Sequence, residues 1–276
     1  MKRLVVTADD FGLSKGVTDG ILEAHRNGIV TRTSIMAVGQ DFEYAAEQAR
    51  LNPRLGLGLH LTLVEENPIS RPAEIESLVG SDGRLLRSYS ALVSGVVLGR
   101  IRLADIETEL RAQVRKCMDA DLRLTHLDSH QHVHTLPSIL SIVVKIAEEH
   151  GIQRIRLPLD SPTRKGARGH PRYLAKSALC WLARYDAASV RDRGLLPCDR
   201  MTGLFESGAL TESRLLNILD SLTDGTTELV SHPGRPDAAC RATYAHWEYQ
   251  WEEELKALTS PAVRERIRTN GVELVQ

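Results

Sequence analysis

Four of the chain's ten histidines stand within residues 125–134, THLDSHQHVH: His126, His130, His132 and His134, with Asp128 among them. Each imidazole brings a donor and an acceptor that need partners, so histidines gathered this densely cannot all be core residues. Its internal position and its interleaved Asp and Ser set it apart from a surface His tract. Metal binding or proton transfer is the chemistry such residues serve. A second candidate is the pair Asp9-Asp10, which ends an apolar run near the start of the chain. Either aspartate alone reads as a turn or a helix cap. Two in succession, pointing in different directions, can divide the holding of a metal from the moving of a proton. His60 in LGLGLHLTL and His232 in SHPG are single histidines near the far ends of other apolar runs, and Arg156 lies inside RIRLPL. A lone histidine in a strand is ordinarily a satisfied core residue, so these gain meaning only from where the strands place them.

The periodicities predict those strands. Apolar, β-branched or alternating runs mark strands at 3–8, 33–38, 55–63, 122–127, 153–159, 226–231 and 272–275, with a weaker one at 202–205. Helical periodicity marks 15–27, capped by Ser14 and ended by Gly28, then 42–52, 103–118, 136–150 with Pro137 at its start, 173–191, 211–223, 244–258 and 260–269. Trp247 and Trp251, four apart in one of these helices, read as a core stripe rather than a sugar platform. Residues 64–100 are rich in Glu, Pro, Ser and Gly and exceed an ordinary connection, which predicts an excursion over the sheet edge that shapes a substrate mouth. Residues 161–172 form a basic Gly/Pro-rich loop whose charge reads as solvation ahead of substrate contact. Strand and helix alternate throughout, which predicts one domain, 1–276, around a mostly parallel sheet. Seven or so strands in that length favour a closed or nearly closed β/α barrel over an open doubly wound sheet.

In such a barrel the carboxyl ends of the strands converge, so Asp9, Asp10, His60, His130 and His232 can share one pocket. One carboxylate and two imidazoles make a three-ligand set that leaves room for water. The remaining Asp and His are then candidates for general base and general acid. No GxGxxG or GxxxxGK[ST] follows the first strand, which argues against a nucleotide site. A net charge of −1 over 276 residues gives no basic field for nucleic acid. The four cysteines are scattered without a CxxC, as in a cytoplasmic protein with reduced thiols. No apolar run approaches the roughly 20 residues of a membrane span; the most apolar stretch, LVSGVVL at 92–98, is far too short.

Four motifs in order, TADDFGLS at 7–14, GLHL at 58–61, HLDSHQHVH at 126–134 and HPG at 232–234, resemble the YdjC-like carbohydrate deacetylases over nearly the whole chain. The resemblance implies a modified (β/α) barrel related to polysaccharide deacetylases, and metal-dependent removal of an acetyl group from an N-acetylated sugar. Matched motif by motif, it implies Asp10, His60 and His130 as ligands of one divalent ion, Asp9 as general base and His232 as general acid. Asp128, His132, His134 and Arg156 are then expected to orient those groups or to contact substrate. Two imidazoles and a carboxylate suit zinc better than magnesium by ligand softness, though either is admissible. A homodimer is also expected from the resemblance. Residues 63–85 and 205–214 look most like the hopanoid-biosynthesis-associated branch, thought to act on an N-acetylglucosaminyl hopanoid, a glycolipid. Asp128-Ser129-His130, by contrast, is closer to the chitooligosaccharide-deacetylase form than to the Asn-Ala-His of the hopanoid branch. The competing readings are a metal-dependent phosphoesterase or amidohydrolase on a related barrel, and a sugar-binding protein without turnover. The first often uses two metals and more carboxylates; the second needs neither Asp9 nor His232.

Overall fold

The computed structural model describes residues 1–160 and 171–276. The basic loop anticipated at 161–172 therefore lies outside the described residues, except for its last two, which open a helix. Among the described residues eight strands form one sheet: β1 (Lys2–Phe11), β2 (Arg32–Ile35), β3 (Gly56–Leu61), β4 (His126–Ser129), β5 (Arg154–Ile155), β6 (Arg200–Thr202), β7 (Gly225–Ser231) and β8 (Glu273–Leu274). Their order is β5-β4-β3-β2-β1-β7-β6, with β8 paired to the start of β1, and every pairing is parallel. The chain thus builds outward from β1 in one direction, then returns to the other side of β1 through β6 and β7.

Ten α-helices connect these strands among the described residues: α1 (Lys15–Asn27), α2 (Phe42–Leu51), α3 (Tyr89–Val97), α4 (Leu103–Asp119), α5 (Pro137–Glu149), α6 (Pro171–Asp192), α7 (Glu212–Ser221), α8 (Ala238–Thr243), α9 (Trp251–Thr259) and α10 (Pro261–Thr269). The local signals act as the sequence indicates. Ser14 caps α1 by accepting from Val17 N, Thr211 caps α7, and Pro137 and Pro261 each stand in a first turn. β3 and β4 are buried at every residue, so both their faces are covered, whereas the outlying β6 and β8 keep exposed residues. No helix of the described residues is long and apolar enough to cross a membrane; the apolar 92–98 stretch lies largely in the nine-residue α3.

Two expectations need correcting. The sheet is curled into a half-barrel, and it does not close: β5 and β6 do not pair among the described residues. Two backbone bonds alone, Leu196 N to Gln153 O (2.8 Å) and Met201 N to Leu159 O (3.2 Å), reach between the segments around them. The 64–100 excursion carries secondary structure of its own. It holds α3, a 3₁₀ turn at Pro72–Glu74 and a bridge between Val79 and Leu85. The helix anticipated at 244–258 is broken: a 3₁₀ turn, Ala245–Trp247, ends at Glu248 with φ +58°, and α9 begins only at Trp251. Trp247 and Trp251 consequently share no helical stripe. Trp251 is in the core, whereas Trp247 is directed to the carboxyl edge of the sheet.

Candidate active site

Because all the strands run parallel, their carboxyl ends share one edge, and the site is assembled there. Asp9 and Asp10 are near the end of β1, His60 is the penultimate residue of β3, Asp128 is in β4 and His130 follows it. Arg156 and His232 come directly after β5 and β7. Successive residues of a regular strand face opposite sides of the sheet. β1 escapes that constraint by a bulge: Ala8 pairs with Thr33 but Phe11 with Ile35, so β1 carries one extra residue. The extra residue is accommodated at Asp10, with φ +68° in the left-handed region. A bulge re-aims side chains, and here both carboxylates end in the same buried cluster, 2% and 1% exposed.

His60 and Asp128 are register partners on β3 and β4, so the Asp128 carboxylate meets His60 Nδ1 at 2.8 Å. The same strands keep a small residue where it is needed: a Cβ on Gly58 would come 2.3 Å from the buried ring of His126. His60 Nε2 then faces Asp10 Oδ1 at 3.5 Å, and His130 Nδ1 faces the same oxygen at 3.4 Å. Donor atoms of Asp10, His60 and His130 all lie within 4.8 Å of one another, an arrangement that could hold a metal ion. Neither oxygen of Asp10 has a hydrogen-bond partner among the described residues, although the side chain is buried. A buried carboxylate left in that state is costly unless a cation compensates it. Burial opposes its ionisation, yet the His130 contact and the charges of His130, His60 and His232 bring the Asp10 carboxyl down to about 2. Conversely, burial disfavours the His130 cation, and the contacts with Asp10 and Glu65 overcome this and push it up to about 10. The same field that holds a proton there favours a metal cation, and two imidazoles with one carboxylate are a fitting donor set.

A second trio, Asp9, His60 and Asp128, is equally tight, but a cation already serves it. The Arg156 guanidinium, wholly buried, donates to both oxygens of Asp9 (2.6 and 2.8 Å), lies 2.8 Å from Asp128 Oδ2 and reaches Glu228 Oε1 at 3.0 Å. Thr7 donates to Glu228 and Ser34 to Asp128, which completes the network. Burial and the Asp128 charge raise the Asp9 carboxyl despite the opposing pull of Arg156 and His60. Asp128, equally buried, is instead held well below the usual range by Arg156 and His60. Two neighbouring carboxylates thus have their proton affinities driven apart.

Above the cluster is a cavity of about 710 Å³ lined by Asp9, His60, His130, His132 and His232, with Glu65, Trp247 and Tyr249. The structure therefore gathers every anticipated catalytic and ligating residue at one place. His232 packs on Tyr249 with ring centroids 4.5 Å apart; its backbone N donates to Glu254 Oε2 (2.5 Å), and its Nδ1 lies 3.9 Å from the same oxygen. Its turn rests on α1 at Gly20, where a Cβ would come 2.6 Å from Gly234 Cα. His134 is removed from the cavity. Its Nδ1 pairs with Ser129 Oγ at 2.5 Å and its Nε2 with Arg156 O at 2.7 Å. His132 lines the cavity with no partner for Nδ1 among the described residues, and burial pushes its cation well below the usual range. His126 lies beneath, bonded to Thr125 and Ser34, with burial pushing it down to about 4. Sequence reasoning missed Glu65, Glu228, Glu254, Trp247 and Tyr249. Only Trp247 carried a signal, and its spacing to Trp251 pointed to the core.

A carbohydrate deacetylase of Brevibacillus brevis is 35% identical over 275 residues, covering 99% of this chain and 97% of its own. One from Geobacillus stearothermophilus is 34% identical over 272 residues, covering 98% and 95%. A crystal structure from Enterococcus faecalis, of a protein named for a proposed role in cellobiose-phosphate cleavage, superposes with a TM-score of 0.78. It has 26% identity and covers 100% of this chain and 97% of that one. The model of the YdjC-like proteins matches residues 3–269, and the chain belongs to that family.

Proposed function

We propose that the chain is a metal-dependent carbohydrate N-deacetylase, hydrolysing the acetamide of an N-acetylated sugar. The observation that carries the reading is the buried, unpartnered Asp10 carboxylate. It is flanked by His60 and His130 and lies beside the Arg156-held Asp9 at the floor of a cavity that His232 also lines. Asp10, His60 and His130 would hold one divalent ion, zinc ahead of magnesium by donor type. When bound, such an ion lowers the pKa of water and polarises a carbonyl oxygen.

The chain's own residues perform the rest. Asp9 lines the cavity, and its raised proton affinity equips it to take the proton of the attacking water. Arg156 engages both Asp9 oxygens and so fixes its orientation. Asp128 accepts from His60 Nδ1, which commits Nε2 to the side of Asp10. His232 donates a proton to the departing sugar amine. Trp247 and Tyr249 line the cavity, where an aromatic side chain can pack against a pyranose. A saccharide substrate is supported by the names of the relatives. Within that class we take an N-acetylglucosaminyl hopanoid or a chitooligosaccharide as the substrate. One large hydrophobic cluster drawing on residues from Leu4 to Val272 supports one domain, and the buried free thiols of Cys117, Cys180 and Cys240 support a cytoplasmic location. The homodimer rests on the family resemblance and is read out by light scattering.

The test is acetate release from N-acetylglucosamine, chitobiose and a hopanoid-linked N-acetylglucosamine, on chelated protein with zinc or magnesium added back. Metal-dependent acetate release from at least one is expected. Turnover of p-nitrophenyl phosphate with no acetate from any of them would replace the reading with a phosphoesterase.

A further inference from the structure

We infer that Glu65 is the residue that orients the imidazole of His130, acting as a positioning carboxylate that ties three separate segments together beside that ring. The inference rests on the ligand set proposed above. His60 shows the pattern: Nε2 faces Asp10, and Nδ1 is bonded to the carboxylate of Asp128. His130 repeats it with its nitrogens exchanged. Its Nδ1 faces Asp10 at 3.4 Å, and its Nε2 faces Glu65 Oε2 at 3.8 Å. The Nε2 atom is buried without a hydrogen bond among the described residues, so Glu65 is the carboxylate placed to receive its proton. A ligating imidazole needs such an acceptor on its second nitrogen to fix its tautomer and its tilt.

Glu65 is itself held from several directions. Oε2 accepts from Trp247 Nε1 at 2.8 Å, and Oε1 accepts from Gln131 Nε2 at 3.1 Å and lies 3.4 Å from His246 Nε2. Its backbone N donates to Leu86 O, and its backbone O accepts from the Arg84 guanidinium. The residue has φ +70°, a conformation a glutamate keeps only where its surroundings enforce it. Gln131 and His132 are left-handed as well, and the Trp247 ring lies 4.8 Å from His130. The stretch after β3, the turn after β4 and the turn before α9 therefore meet at one carboxylate.

The experiment measures cobalt(II) affinity by competition with a chromophoric chelator, together with the cobalt d–d spectrum. The proteins are wild type, Glu65→Gln, Asp128→Asn, Trp247→Phe and His130→Ala. Glu65→Gln and Asp128→Asn should each weaken binding by about 10- to 100-fold and shift the d–d bands, whereas Trp247→Phe, which keeps the carboxylate, should stay within about threefold of wild type. If Glu65→Gln binds like wild type while His130→Ala does not, the inference falls and the ligand set stands. If His130→Ala itself binds like wild type, the ligand set falls first. Equal losses in Trp247→Phe and Glu65→Gln would reduce Glu65 to a packing role and overturn the inference.

Discussion

Replacing Arg156 by lysine keeps one positive charge but removes the planar fork that serves three carboxylates at once. The guanidinium is wholly buried, with contacts of 2.6 and 2.8 Å to Asp9, 2.8 Å to Asp128 and 3.0 Å to Glu228. An ammonium on a shorter reach can satisfy one of these, which leaves two buried carboxylates without their cation. Depriving a buried pair of one partner costs about 3–5 kcal/mol. Thr7, Ser34 and His60 still donate to Glu228 and Asp128, so the lower figure is apt for the pair together. At about 2–4 °C per kcal/mol for a chain of this size, Tm should fall by roughly 10 °C near neutral pH. The pH dependence gives the sharper test. In the wild type, Asp128 and Glu228 are depressed by Arg156 against burial, so their contribution is intact at neutral pH and is lost only as pH falls through those depressed values. Without the guanidinium, burial dominates and both carboxyls rise. A carboxyl raised in the folded state gains protons, and stability, as pH falls. Between about pH 7.5 and about pH 5 the variant should therefore recover stability that Asp128 and Glu228 do not return to the wild type, and the Tm gap should narrow. Thermal unfolding of metal-free protein at both pH values decides this. A gap that stays constant, or widens on acidification, refutes the view that Arg156 acts by balancing the charge of these carboxylates.

The two aspartates should separate. Asp10→Asn should lose metal affinity sharply and regain part of its activity at high metal, while Asp9→Asn should keep the metal with kcat lowered by about 10²–10⁴; metal titration and steady-state rates tell them apart, and the reverse pattern would exchange the roles. His232→Ala should retain metal and a near-normal KM with kcat down by roughly 10²–10³, and imidazole in the buffer should restore part of it; loss of metal instead would make His232 a ligand. His130→Ala should abolish metal retention in a folded protein, whereas His132→Ala and His134→Ala should reduce activity more gently, with stoichiometric metal by elemental analysis; equal metal loss in all three would mean the wrong histidine has been chosen.

The placement of the candidate site was legible because strand ends are legible. Asp9, Asp10, His60, His130 and His232 each close an apolar run, and parallel strands bring such ends to one edge. The bulge that turns both aspartates inward left no mark in the sequence, since the left-handed residue is an aspartate rather than a glycine. Glu65 was hidden for a different reason. It lies in a polar stretch with no period, where one glutamate looks like the next, and its partners come from 131 and 246–247. Trp247 was misread because a spacing of four implies one helical face only if the helix is continuous, and Glu248 interrupts it. Closure of the sheet was overcalled because strand number alone does not determine whether the outermost edges pair. β5 is two residues long, and that is too little ladder to join β6.

The seat of His232 on α1 bears on how stiff that part of the molecule is. Side chains packed on side chains can change rotamer and let a neighbour move. At Gly20 the turn touches bare backbone, which has no rotamers to change. Gly234 N is bonded to Trp251 O and Arg235 N to Gly16 O, so the turn is fastened on both sides of that contact. The compliance of His232 is then that of a capped thirteen-residue helix rather than that of a loop. Transplanting the turn into another barrel would carry its stiffness along only if the receiving helix also offers a glycine at the point of contact.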